Sequence, residues 1–150
     1  MAAGGIADGR GLAVIPEVVV TYVEAFSSSD LERCVATFAH DGIYSAPGTP
    51  GPLARQQIEE HFRGVFARYP GAAWETVALD ALSDDTCVWR WILRATHTGS
   101  NGAPPAPERR LTLAGCEFIT VRAGKIHRVE GYFDRLGVLE QLGASPSSQS

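Results

Sequence analysis

A lone carboxylate, Asp134, follows the aromatic pair Tyr132-Phe133 and precedes a helical run over residues 136–142 that Gly143 stops. Apolar surroundings disfavour the charged form of such a group and lift its pKa toward a value useful for proton transfer. The same position also suits a plain structural role, because strand-end aspartates cap following helices. Asp134 is therefore a candidate general acid/base and equally a candidate cap. Trp89, Trp91, Phe118 and Tyr132 could supply flat apolar walls for a ring-shaped ligand. Tyr22, Tyr44, His97 and Thr120 could offer hydrogen bonds to its oxygens. Each of these also has an ordinary use, as a core aromatic or as a side chain that ties down a strand.

Other chemistries have little support. His61 lies beside Glu59-Glu60, but no second histidine falls at metal-ligand spacing, so a solvated helix face is expected and no metal site. His40-Asp41 is expected to close a helix, and His127 to point outward from a polar strand. Neither a glycine-rich dinucleotide fingerprint, a phosphate-binding loop nor a nucleophile elbow occurs.

Helices come first and strands later, which predicts an α+β fold rather than alternating βαβ units. Val19, Tyr22, Val23 and Phe26 form one stripe of a helix over residues 16–26. Ser29-Asp30-Leu31-Glu32 reads as a capping box with Ser29 at the N-cap, opening a second helix to residue 39. A short strand, residues 42–46, leads into a Pro/Gly-rich loop, and a third helix spans residues 54–67. Three long strands at residues 74–82, 86–98 and 109–121 precede a tight turn at Gly124-Lys125 and a final strand. Side chains alternate along a strand, so Trp89, Trp91, Leu93, Ala95 and His97 share a face opposite Arg90, Ile92, Arg94 and Thr96. The aromatic face is expected inward. In the next strand Cys116, Phe118 and Thr120 oppose Glu117, Ile119 and Val121, and period two alone leaves open which set is internal. These elements predict a cone-shaped α+β barrel: three N-terminal helices on a curved, mainly antiparallel sheet, with a short closing helix and an open mouth able to hold a ligand.

The chain of 150 residues suits one domain, expected over residues 13–143 between disordered tails at 1–12 and 144–150. Its 13 basic and 17 acidic side chains leave a net charge of −4, which gives no electrostatic reason to bind nucleic acid or an anionic membrane. No apolar run reaches the roughly 18 residues of a membrane span. Residues 1–11 show neither the charged start nor the apolar block of a signal peptide, so a cytoplasmic location is expected. Cys34, Cys87 and Cys116 read as reduced thiols.

From Val18 to Gly143 the chain resembles the nuclear transport factor 2-like superfold, and within it the SnoaL-like polyketide cyclases. The resemblance rests on three blocks: residues 18–26 with Ser29-Asp30-Leu31, then Thr96-His97-Thr98-Gly99, then Gly124-Lys125-Ile126 through Tyr132-Phe133-Asp134 to Glu140-Gln141-Leu142-Gly143. Three enzyme types on this superfold can be compared residue by residue. Tyr22 matches the oxyanion-hole tyrosine of ketosteroid isomerase-like members, but Ala46 replaces their base and Cys116 stands at their second oxyanion-hole acid. Tyr44 and Asp134 match limonene epoxide hydrolase-like members, yet Ala46 replaces the water-positioning Asn and the Arg-x-Asp pair is missing. In SnoaL-like aldol cyclases the catalytic acid/base is an Asp that Asp134 matches; Thr120 stands where a histidine is often found. The resemblance places Cys116, Phe118, Thr120, Tyr132 and Asp134 on the concave side.

The implied function is a cyclase without cofactor that closes a ring in a polyketide-derived intermediate, as in antibiotic biosynthesis, by acid/base catalysis. Two alternatives stay open: an epoxide-opening or hydroxylation-assisting protein on the same fold, and a non-catalytic small-molecule-binding or dimerisation module. The expected ligand is apolar and polycyclic or polyketide-derived. A homodimer is expected, because the convex side of an open sheet gains by being covered. Light scattering should then give about twice the chain mass of 16.0 kDa; a monomer mass would exclude the dimer.

Overall fold

The computed structural model describes residues 14–97 and 109–143, although the side chain of His97 is not among the described groups. The expected tails and most of the long turn after residue 98 lie outside these residues. Ten elements follow in the order α1 (Glu17–Ser27), α2 (Leu31–Ala36), β1 (Phe38–Ser45), β2 (Leu53–Ala54), α3 (Arg55–Arg68), β3 (Ala73–Ala81), β4 (Thr86–His97), β5 (Arg109–Arg122), β6 (Lys125–Phe133) and α4 (Arg135–Gln141). One six-stranded sheet runs β2-β1-β6-β5-β4-β3. Only β1 and β6 pair in parallel, so the sheet is mainly antiparallel as the sequence implied.

The stripe Val19, Tyr22, Val23 and Phe26 buries α1 on the sheet. From α3, Ile58 and Phe62 are fully buried beside it. Across the interface stand Trp89, Trp91 and Leu93 of β4, so the aromatic face is internal and Arg90 and Arg94 are exposed. Edge-to-face rings knit these layers: Phe26 meets Phe62 at 5.2 Å and Trp74 at 4.9 Å, and Tyr22 meets Trp89 at 6.1 Å. Such pairs are favoured by the ring quadrupole and fix relative orientation as well as distance.

Several boundaries differ from the sequence reading. The N-cap of α2 is Asp30, whose carboxylate accepts from the Arg33 amide at 3.2 Å, whereas Ser29 takes a left-handed φ of 57°. That helix ends at Ala36, and β1 begins at Phe38, so His40-Asp41 lies within a strand instead of closing a helix. The two-residue β2 was not anticipated; it is too short to leave a periodic signal.

Gly115 marks the tightest crossing on the concave face. A Cβ there would overlap the six-membered ring of Trp91, which lies across the strand, and would sit 2.9 Å from the Tyr132 carbonyl. Trp91 is itself held by Trp74 at 5.0 Å and Phe133 at 6.4 Å, so the ring has little room to retreat. Gly115→Ala should therefore destabilise the fold by about 1–3 kcal/mol. Urea denaturation followed by tryptophan fluorescence measures this, and an unchanged midpoint would contradict the packing described.

Candidate functional site: a buried carboxyl group under an aromatic wall

The alternation of β5 decides which side chains face the helices. Leu111, Leu113, Gly115, Glu117 and Ile119 share the concave face, and every one of them except Gly115 is buried. Glu117 is only 3% exposed, although it is the one acidic side chain in that row. Its register neighbours are Trp89 on β4 and Gly131 on β6. A Cβ at Gly131 would stand 3.7 Å from Glu117 Cγ and 3.3 Å from Ala46 Cβ, so the glycine leaves space above the carboxyl stem.

The Tyr22 hydroxyl, presented by α1, donates to Glu117 Oε1 at 2.7 Å. This short bond crosses from helix to sheet and satisfies one of the carboxyl oxygens. Burial nevertheless dominates. It pushes the Glu117 carboxyl up to about 7, with the Tyr22 hydrogen bond pulling the other way. Burial and the nearby Glu117 also hold the Tyr22 and Tyr44 phenols well above their ordinary range, so both remain hydrogen-bond donors at any physiological pH. Tyr44 meets the ring of Phe62 edge to face at 5.0 Å and lies 5.4 Å from the ring of His61. His61 is thus half-buried, not part of a fully solvated helix face, and burial followed by Arg68 lowers its pKa.

The tryptophans differ in what their polar edges meet. Trp89 Nε1 donates to Thr76 Oγ1 at 3.0 Å, so its polar edge is committed to the protein. Trp91 Nε1 is buried without an acceptor among the described residues, as is Trp74 Nε1. Leaving a buried donor unpaired costs about 1–3 kcal/mol. Trp91 lies over Gly115, two residues before Glu117 on the same face.

Of the side chains singled out in the sequence, the structure gathers Tyr22, Tyr44, Trp89 and Trp91 on the concave side, around Glu117. It does not bring Phe118, Thr120 or Tyr132 there. Phe118 and Tyr132 form an edge-to-face pair at 5.9 Å on the convex side, where Tyr132 is 54% exposed. Cys116 and Thr120 follow the same outward pleat. The expected concave set is thus displaced by one residue, which reverses the face. The correspondence drawn with ketosteroid isomerase-like members shifts with it, since the inward position is Glu117 and not Cys116.

Asp134 is exposed at the end of β6. Its Oδ1 accepts from the Gly137 amide at 2.9 Å, making it the N-cap of α4, and the missing side chain of Gly137 leaves the carboxylate its place. The apolar enclosure expected for this group is absent. His97 ends β4, with its side chain outside the described groups. His127 is half-buried. No cluster of three or more metal-ligating side chains occurs among the described residues, and no described helix is long and apolar enough to cross a membrane.

A family profile, SnoaL-like polyketide cyclase, matches residues 17–142. The chain belongs to the SnoaL-like polyketide cyclase family. Solved structures agree on the nuclear transport factor 2-like fold. The candidate hydroxylase AclR of Streptomyces galilaeus superposes with a TM-score of 0.72 at 17% identity, covering 85% of this chain and 93% of that one. The candidate polyketide cyclase IdmH of Streptomyces antibioticus gives 0.70 at 26% identity, covering 85% and 97%. A candidate polyketide cyclase from Xanthomonas campestris pv. campestris gives 0.69 at 20%, covering 84% and 94%. No curated protein matches the chain.

The raised Glu117 carboxyl has a consequence for stability in this SnoaL-like domain. Between its ordinary value of 4.5 and about 7, the folded chain keeps a proton that the unfolded chain releases. Its contribution is therefore complete below pH 4.5 and is lost as pH rises to about 7. The loss is about 3 kcal/mol across that window. Urea titrations of wild type and Glu117→Gln should differ by this slope, and a flat difference would mean that the carboxyl is solvated.

Proposed function

We propose that this SnoaL-like protein is a polyketide-tailoring cyclase in which Glu117, hydrogen-bonded to Tyr22, moves the proton. The observation that carries the reading is a carboxyl group 3% exposed, bonded to a phenol and facing an aromatic wall. The family assignment and the 26% identity to IdmH, named as a candidate polyketide cyclase, support the substrate class.

The chemistry follows from the position of the acid. A base is most effective when its pKa lies near the operating pH, because it then both takes and returns a proton. Ionised Glu117 removes a proton alpha to one carbonyl of a poly-β-ketone. The enolate carbon attacks a second carbonyl of the same molecule, one C–C bond forms, and the new alkoxide takes the proton back from Glu117. The product is an isomer of the substrate, a cyclic β-hydroxy ketone, and the enzyme is regenerated. Tyr22 keeps its hydrogen bond to the carboxylate through both transfers and limits the charge it carries. Phe133, half-buried beside Trp91, offers an apolar face to the folded substrate chain. Holding the two reacting carbons together in a water-poor space supplies the larger part of the rate. Asp134 acts in this reading as the cap of α4.

Conversion of a linear poly-β-ketone to cyclised product, followed by liquid chromatography and mass spectrometry, tests this. Glu117→Gln should lower kcat by roughly 10²–10⁴-fold. Asp134→Asn, which keeps an acceptor oxygen for the Gly137 amide, should leave kcat within a few-fold. The wild-type kcat/KM should rise with pH and level off above about 7, since the base works ionised. The reverse ranking of the two variants, with both correctly folded by circular dichroism, would transfer the role to Asp134.

A further inference from the structure

The sheet carries a second hollow at its far end, built by two irregularities that coincide. Between β1 and β6 the register jumps from Phe38 opposite Ile126 to Ile43 opposite Arg128, so residues 39–42 stand against His127 alone. Between β5 and β6 it jumps from Thr120 opposite Arg128 to Val121 opposite Ile126, which leaves His127 unpaired on that side too. Bulges of this kind bend a strand and re-aim its side chains, and they concentrate beside functional sites. The hollow they open has a volume of about 370 Å³. Lys125, at its rim, is six residues of β6 before Gly131, the neighbour of Glu117, which separates the two sites by roughly 20 Å.

Its lining is strongly cationic. Arg55 from the start of α3, Arg122 and Lys125 from the β5–β6 turn, and His40 and His127 face it together with a single carboxylate, Asp41. With both histidines neutral, three cations against one anion leave two positive charges. Among the described residues none of Arg55, Arg122 and Lys125 has a carboxylate within ion-pair distance, although Arg122 acts from farther off on the exposed Asp85. Lys125 Nζ donates to the Ala36 carbonyl at 3.1 Å, which holds one cation at the rim and leaves its other donors available. The turn itself is strained: Ala123, which also lines the hollow, sits at φ 50° before Gly124 at 74°. A non-glycine residue in that region is held there by its surroundings.

We infer that this hollow binds the phosphate group of a small phosphorylated molecule. A phosphate monoester carries close to two negative charges near neutral pH and three acceptor oxygens, matching a surplus of two cations. A carboxylate would match only one of them. The fork-shaped guanidinium groups of Arg55 and Arg122 suit phosphate oxygens. The volume falls within the range of small-ligand pockets, so the site has room for an organic body beside the phosphate. A concave, cation-lined space also focuses its field on an approaching anion despite the net charge of −4 on the whole chain.

The full chain would be titrated with phenyl phosphate, inorganic phosphate and chloride at one fixed ionic strength, following the backbone amides of Gly124 and His127 by nuclear magnetic resonance. Phenyl phosphate should give saturable shifts at those amides, with a dissociation constant at least tenfold below that of inorganic phosphate. Arg55→Gln and Arg122→Gln, made singly, should each weaken it about tenfold, and Asp41→Asn should tighten it. Unchanged melting temperatures without ligand certify the folds. Equal responses to all three anions, or undiminished binding in both arginine variants, would overturn the assignment. Inorganic phosphate binding as tightly as the ester would refute the organic body.

Discussion

The bond between Tyr22 and Glu117 is the constraint around which the concave side is arranged. Thr37 and Glu117 are the buried side chains of polar or charged type among the described residues, and Thr37 is satisfied by the Cys34 carbonyl at 2.6 Å. A carboxyl group in such a place must find partners or stay protonated, because an isolated buried charge is too unfavourable to persist. One oxygen takes the Tyr22 hydroxyl; the rest of the penalty is met by a shift in protonation. The bond also fixes the position of α1 over β5, and with it the depth at which the helix layer sits above the sheet. Removing either partner strands the other, which makes the pair more expensive to break than to keep.

The neighbours of this pair are shaped to accommodate it. Trp89 is anchored through Thr76 and meets the Tyr22 ring edge to face, so the wall beside Glu117 is stiff. Gly131 and Gly115 take side chains away at two adjacent points of the same face, one for the Glu117 stem and one for the Trp91 ring. A rigid aromatic wall packed closely against the glycines opposite keeps water away from Glu117. At the far end the same sheet does the reverse. Its bulges break the pleat and turn His40, Asp41 and His127 toward a charged hollow instead of an apolar core. One strand, β6, thus joins two environments of opposite character.

Much of this was legible in the sequence where period and composition agree. The α1 stripe, the inward aromatic face of β4 and the order of helices before strands all follow from 3.6- and 2-residue repeats. The faces of β5 were legible too, but only over its full length. Taken from Cys116 to Val121 alone, the two faces look alike. Extended back, Leu111 and Leu113 join the row of Glu117 and Ile119, while Arg110, Thr112 and Ala114 join that of Cys116. The lone acid on an otherwise apolar face is then conspicuous. Guidance from the family resemblance pointed one residue away, and in a strand that distance exchanges inside for outside. The register jumps at Phe38–Ile43 and Thr120–Val121 had no such signal, because a bulge is a property of two strands together and neither sequence alone records it.

The two carboxylates, Asp134 and Glu117, stand in opposite surroundings. Asp134 lies at an exposed strand end, open to bulk water, and one of its oxygens is already fitted to the Gly137 amide. Glu117 is enclosed instead, with Tyr22 and the aromatic wall as its partners. In the cyclisation proposed above, low dielectric surroundings strengthen its interactions with the developing enolate and alkoxide. In the proposed reaction, the same surroundings that make the charged form unfavourable make its proton useful, and the stability given up to bury the acid is the source of its reactivity.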